Sequence, residues 1–135
     1  MIYVRRKPLE ADVFQDAMAE ALSGDLDRVG CAVTFTGIVK RKMHGKTVAS
    51  LHLGYDAEGL EERLEAIGRE AEERYGLHSV VIYHNLDDLE PGSLVTHIVV
   101  AAERRAEAFE AARTIIERIK REVHLGAFEV YDAGG

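Results

Sequence analysis

Ser79-Val80-Val81-Ile82-Tyr83-His84-Asn85-Leu86-Asp87-Asp88-Leu89-Glu90-Pro91-Gly92-Ser93-Leu94-Val95-Thr96-His97-Ile98-Val99-Val100-Ala101-Ala102 decides the fold. Two runs rich in β-branched residues, Ser79 to His84 and Ser93 to Ala102, flank a polar segment that closes on Pro-Gly. Proline presets φ for the first central position of a tight turn and glycine tolerates the positive φ of the second, so the two runs are expected to be antiparallel strands.

Working outward, the same signals alternate along the chain. Ile2 to Arg6 reads as a short strand, and Pro8 leads into a helix over roughly Glu10 to Leu22, with Val13, Ala17, Ala21 and Leu22 on one side. Gly30 to Lys40 is a strand interrupted by Gly37, where a bulge or close approach is expected. A basic loop, Lys40 to Lys46, precedes a strand over Val48 to Tyr55 with Ala49, Leu51, Leu53 and Tyr55 on one face. Asp56 suits an N-cap for the next helix, whose Leu60, Leu64, Ile67, Ala71 and Tyr75 recur every three or four residues, and Gly76 suits its C-cap. A last helix covers roughly Arg104 to Glu122, and Ala127 to Tyr131 forms a short final strand. Strands joined by turns, with helices between the pairs, give an α+β fold in one domain over 1–135, not a doubly wound parallel sheet.

Composition narrows the function. With 24 acidic against 17 basic residues and a net charge of −7, the chain has no basic stripe for nucleic acid. No run approaches the roughly 18 apolar residues of a membrane span. The single cysteine, Cys31, makes no internal bridge and fits a reducing, cytoplasmic setting; in its apolar strand, with no adjacent histidine, it reads as core. His44, His52, His78, His84, His97 and His124 show no zinc-like spacing, and neither a metal nor a resident cofactor is expected. His97, sharing a strand face with Val95 and Val99, reads as a satisfied core or interface residue.

Against this acidic background, Arg104, Arg105, Arg113, Arg118, Lys120 and Arg121 crowd onto one helix. At about 100° per residue, Phe109, Ala112, Ile116, Ile119 and Val123 form its apolar stripe. Arg118 and Arg121 fall on the far side as solvated charge, while Arg113 and Lys120 fall at the stripe's edge, where a cation either snorkels along the core rim or lines a cleft. Arg104 and Arg105 open the helix against the dipole, so either Glu103, Glu107 and Glu110 neutralise them or they hold an anion.

Val33 to Lys40, Leu53-Gly54-Tyr55, Tyr83-His84 with Leu89-Glu90-Pro91-Gly92, Arg104-Arg105 before Phe109, and Ile116 to Lys120 occur in an order and spacing that resemble the large, catalytic subunit of molybdopterin synthase. The resemblance implies a hammerhead-like α+β domain that dimerises and binds a small ubiquitin-like sulfur carrier, giving a heterotetramer. The carrier's C-terminal Gly-Gly thiocarboxylate enters the pocket and its sulfur passes to a cyclic pyranopterin monophosphate, yielding molybdopterin. It further implies Lys120 as the catalytic lysine, and Lys40, Arg104 and Arg105 as grips on anionic substrate. Where the family continues to Pro-x-Trp-Lys-Lys-Glu, this chain reads His124-Leu125-Gly126-Ala127-Phe128-Glu129, and Asn85 stands where an arginine is usual. Lys42 and Lys46 of the basic loop are candidates to replace the missing second lysine, and Arg113 is a further supplementary site candidate. The same departure leaves a non-catalytic module that binds the carrier as the alternative reading. The terminal Gly134-Gly135 resembles a carrier's tail but follows a large-subunit helix, so it reads as a frayed end or as an occupant of the carrier groove.

Overall fold

Ser79–His84 and Leu94–Ala102 run antiparallel, Ser79 opposite Ala101 and His84 opposite Thr96. Their connection ends in the expected turn, with Gly92 at φ 89° and the Ser93 N–H donating to the Glu90 carbonyl at 3.1 Å. The computed structural model describes residues 1–53, 59–124 and 126–132. In chain order the elements are β1 (Ile2–Arg6), α1 (Val13–Ala21), β2 (Cys31–Ile38), β3 (Lys42–Met43), β4 (Lys46–His52), α2 (Leu60–Tyr75), β5 (Ser79–His84), β6 (Leu94–Ala102), α3 (Arg105–Glu122) and β7 (Phe128–Tyr131).

The larger sheet has the order β1-β5-β6-β2, with β1 parallel to β5 and the other neighbours antiparallel. Every residue of β5 is buried, because both faces of the sheet are covered. Val80, Ile82, Ile98 and Val100 pack against Leu64 and Ile67 of α2 and Ala111, Ile115 and Ile119 of α3. On the opposite face, Val81, Tyr83, Val99 and Ala101 pack against Val13, Ala17 and Ala21 of α1. The smaller sheet, β3-β4-β7, is antiparallel throughout and encloses a third apolar cluster of Val39, Val48, Leu53, Leu89 and Val95. No helix among the described residues is long and apolar enough to cross a membrane.

Several boundaries and faces differ from the sequence expectations. The basic loop is a hairpin in which β3 pairs with β4 through His44 and Gly45, both at positive φ, the turn that matches strand twist. A register shift between Val48 and Ser50 puts Val48 in the core with Leu53, so strict alternation from Ala49 fails. Helix α1 starts at Val13, after the turn bonds Val13 N–H to Glu10 O and Phe14 N–H to Ala11 O. Gly59 precedes α2 and Gly76 caps it at φ 65° as expected; the proposed cap Asp56, the strand end at Tyr55 and the Gly134-Gly135 terminus lie outside the described residues.

The apolar stripe of α3 is rotated by about one residue from the wheel. Ala108, Ala111, Ala112, Ile115 and Ile119 are buried, whereas Phe109 is 60% exposed. The cause is a second neighbour: α3 packs on α2 as well as on the sheet, which draws the Ala111-Ile115 side inward. Arg118 is therefore not simple solvated charge. It lies between the two helices, donating to Glu122 at 2.6 Å and to Glu70.

Candidate functional site

Lys40 and Lys120 arrive at one place from different elements. Lys40 follows Val39, which is held by two backbone bonds to the β5–β6 turn, Val39 N–H to Ser93 O at 3.0 Å and Gly92 N–H to Val39 O at 2.9 Å. Lys120 is in the last turn of α3, on the flank that faces β2. Between them opens a cavity of about 410 Å³. Its floor is apolar, formed by Phe35, Leu51, Leu53, Val95, Ile98, Ile116 and Ile119, and its polar wall carries Lys40, Lys120, His124 and Glu129. Gly37 lines it too, at the β-bulge before Ile38, where an added Cβ would stand 3.3 Å from the Thr96 methyl group. A ligand seated here covers the apolar floor and meets a few charged groups that can orient an anion.

The helix C-terminus also fixes His124. Its N–H donates to the Ile119 carbonyl at 3.0 Å, so the ring is placed relative to Lys120 by the backbone. The ring meets His84, fully buried at the end of β5, with Nε2 to Nε2 at 2.8 Å, and His84 Nδ1 donates to the Asn85 carbonyl at 2.9 Å. Burial pushes the His84 pKa below the usual imidazole value, against the Asn85 bond and with help from the Arg6 charge. Burial, then His84, then the Lys120 charge bring His124 down to about 4. Neither histidine was singled out by spacing, since the pair is made by residues 84 and 124 meeting in space. The available signal was a histidine closing a strand whose middle is Val80, Val81 and Ile82.

The remaining expected residues are distributed differently. Arg104 and Arg105 sit at the opposite end of α3, about 22 Å from Lys120 at 1.5 Å per residue. They line shallow hollows with Gly30, Cys31 and Glu103. A single protomer does not bring them to the cavity. Among the described residues no ion pair involves either one, and Glu103 pairs with Arg28 at 3.0 Å, so neutralisation by neighbouring glutamates does not account for them. Lys42 bonds to Thr47 and Lys46 stands over the Tyr131 ring, both on the small sheet and away from the cavity wall. Arg113 lines a hollow beside Lys120 but is paired with Glu117. Ala127, where the family resemblance puts a lysine, lines the cavity with a methyl group.

His97, His52 and Asn85 have structural partners. His97 is buried, 2.8 Å from the Thr36 hydroxyl and against the Phe14 ring, as a satisfied core residue. Asn85 donates to the Leu94 carbonyl and accepts from the Leu86 N–H, bracing the start of the β5–β6 connection. His52, Asp87 and Asp88 group their ligand-type atoms within 4.8 Å of one another, where a His52–Asp88 pair and the Leu53 N–H on Asp87 already engage them.

The family model for the MoaE protein matches residues 4–122. The chain belongs to the MoaE family. It is 32% identical over 130 residues to the molybdopterin synthase catalytic subunit of Pyrococcus abyssi, covering 96% of this chain and 84% of that protein. The structure of molybdopterin synthase from Staphylococcus aureus superposes with a TM-score of 0.76 at 25% identity, over 98% of this chain and 92% of that one. A complex of subunits 1 and 2 of molybdopterin-converting factor from Helicobacter pylori shares the fold, with a TM-score of 0.70 at 20% identity over 96% and 84% of the two chains. The MoaE match contains Lys40, His84 and Lys120 and stops short of His124, Ala127 and Glu129.

Proposed function

We propose that this chain is the catalytic subunit of a molybdopterin synthase, acting in the cytoplasm to move sulfur from a small carrier's C-terminal thiocarboxylate to a cyclic pyranopterin monophosphate. The observation that carries the reading is the convergence of Lys40 and Lys120 on one apolar-floored cavity within a MoaE fold. A carrier tail ending in Gly-Gly has no side chains to obstruct a narrow entry, and its thiocarboxylate is an anion. Lys120 is the acid/base lysine at the reacting atoms. Lys40 holds phosphate or carboxylate through charge-assisted hydrogen bonds, each contributing about 1.5–3 kcal/mol. Lys40 and Lys120 are exposed in the single chain, and the apolar floor strengthens both interactions once the bound carrier tail and pterin exclude water.

Arg104 and Arg105 enter this reading through a second copy of the chain. Held about 22 Å from their own Lys120, they serve a partner's cavity in a homodimer, and one carrier per cavity makes a heterotetramer. Their lack of an ion pair among the described residues suits a role in which the anion comes from elsewhere.

The deciding experiment combines the chain with thiocarboxylated carrier and the cyclic pterin and follows dithiolene formation. Wild type forms product, and Lys120→Ala is slowed about 10²–10⁴-fold, the usual range for a positioned acid/base. No product from wild type would overturn the enzymatic reading. Ala127 on the cavity wall favours the second reading, a non-catalytic dimer that binds the carrier. That reading is recognised by carrier binding without product in the same assay.

A further inference from the structure

His84 and His124 share one hydrogen bond between like atoms, and its direction can be deduced. His84 Nδ1 faces the Asn85 carbonyl at 2.9 Å, a group that only accepts, so Nδ1 carries a hydrogen. A neutral His84 then has its lone pair at Nε2. The 2.8 Å contact therefore requires His124 to donate from Nε2–H, which leaves the lone pair of a neutral His124 on Nδ1. Burial keeps both rings neutral, and the surrounding cations act the same way: Arg6 of β1 on His84, and Lys120 of α3 on His124.

The polar wall otherwise offers Lys40 and Lys120, which as ammonium groups only donate, and Glu129 of β7, a carboxylate. His124 is the one neutral titratable group among the described residues lining the cavity. It stands on the same wall as Ala127, whose side chain can neither bind nor move a proton.

We propose that His124 is the proton acceptor of the cavity, working through Nδ1, and that His84 is the positioning residue that fixes it in this tautomer. The proposal rests on the sulfur-transfer reading for its substrate. A substrate O–H or N–H gives its proton to Nδ1, the bonding pair remaining on the substrate atom, and His124 becomes an imidazolium that keeps its Nε2–H bond to His84. Beside Lys120 and half-buried, that imidazolium is a stronger acid than a free one, so it returns the proton to a substrate oxygen. No covalent bond to histidine other than N–H forms, and nothing is oxidised or reduced.

Two measurements on the full chain test this. The first is ring-nitrogen NMR of histidine-labelled protein at pH 7, before and after adding cyclic pterin monophosphate. His84 is expected as the Nδ1–H tautomer and His124 as Nε2–H, with the unprotonated Nδ1 signal of His124 moving when the pterin is added. His84→Phe should scramble the His124 tautomer, because the acceptor of its Nε2–H is gone; His84→Met serves if the Phe variant does not fold. The second measurement is the rate of dithiolene formation against pH. His124→Gln keeps an acceptor but takes no proton, so kcat should fall about 10²-fold at unchanged KM, and His84→Phe should lower kcat by a smaller factor. A wild-type kcat in His124→Gln, or a His124 protonated at Nδ1 at pH 7, overturns the proposal. If wild type makes no product, the sulfur-transfer reading fails and the pterin titration decides alone: a moved Nδ1 signal supports His124, and an unmoved one overturns it.

Discussion

The two ends of α3 carry similar charge and have opposite surroundings. At the N-terminus Arg104 and Arg105 are exposed on shallow hollows, against the helix dipole and with no side-chain cap. At the C-terminus Lys120, also exposed, agrees with the dipole and borders a cavity of about 410 Å³, with the buried His84 and the half-buried His124 behind it. Cations in a sequence therefore say where charge is, and only the packing around them says where charge is strengthened by exclusion of water. The N-terminal pair acquires comparable surroundings only if another molecule covers it.

The largest expected effect removes the better-surrounded end: Lys120→Ala should slow dithiolene formation about 10²–10⁴-fold, and a smaller loss would make the two ends equivalent. Next, Arg105→Ala should raise KM for the pterin about tenfold or more with little change in kcat, the scale of one charged hydrogen bond. Mixing Arg105→Ala with Lys120→Ala protomers should then restore part of the activity, because a mixed dimer has one intact site. Failure to complement while each variant still dimerises would confine the N-terminal pair to the surface. A third measurement is stability against pH. The folded chain holds His124 down to about 4, while the unfolded value is about 6.5. Between these values the unfolded chain binds more protons, so stability is complete above about pH 6.5 and is lost as pH falls toward 4, by roughly 2–3 kcal/mol. Urea midpoints should show this slope, and His124→Gln should flatten it. The smallest effect belongs to the middle of the helix: Arg118→Ala should cost about 1 kcal/mol in urea unfolding, through loss of its bonds to Glu70 and Glu122.

Much of the fold was legible because local signals agreed with the final packing. Pro91-Gly92 marked the turn, Gly76 the helix end, and the β-branched runs the two central strands. Legibility failed where a second neighbour or a shift in register intervened. The wheel put Phe109 inside because it could not know that α2 pulls Ala111 and Ile115 inward. Alternation put Ala49 with the core because the bulge at Val48/Ser50 is set by pairing with β7, far along the chain. In the site, Lys40 and Lys120 emerged from position and resemblance together. The His84–His124 pair did not, since its chemistry exists only after the end of β5 meets the end of α3.

The segment after α3, which supplies His124, Ala127 and Glu129 to the cavity, has a further consequence. Among the described residues β7 pairs with β4 and with no strand of the larger sheet, so the segment after α3 behaves as an exchangeable cassette. Substitution there alters the inventory of functional groups facing the cavity while the scaffold that holds Lys40 and Lys120 stays intact. A lineage can thus relocate a reactive group along this strip, from one residue type and position to another, without rebuilding the domain.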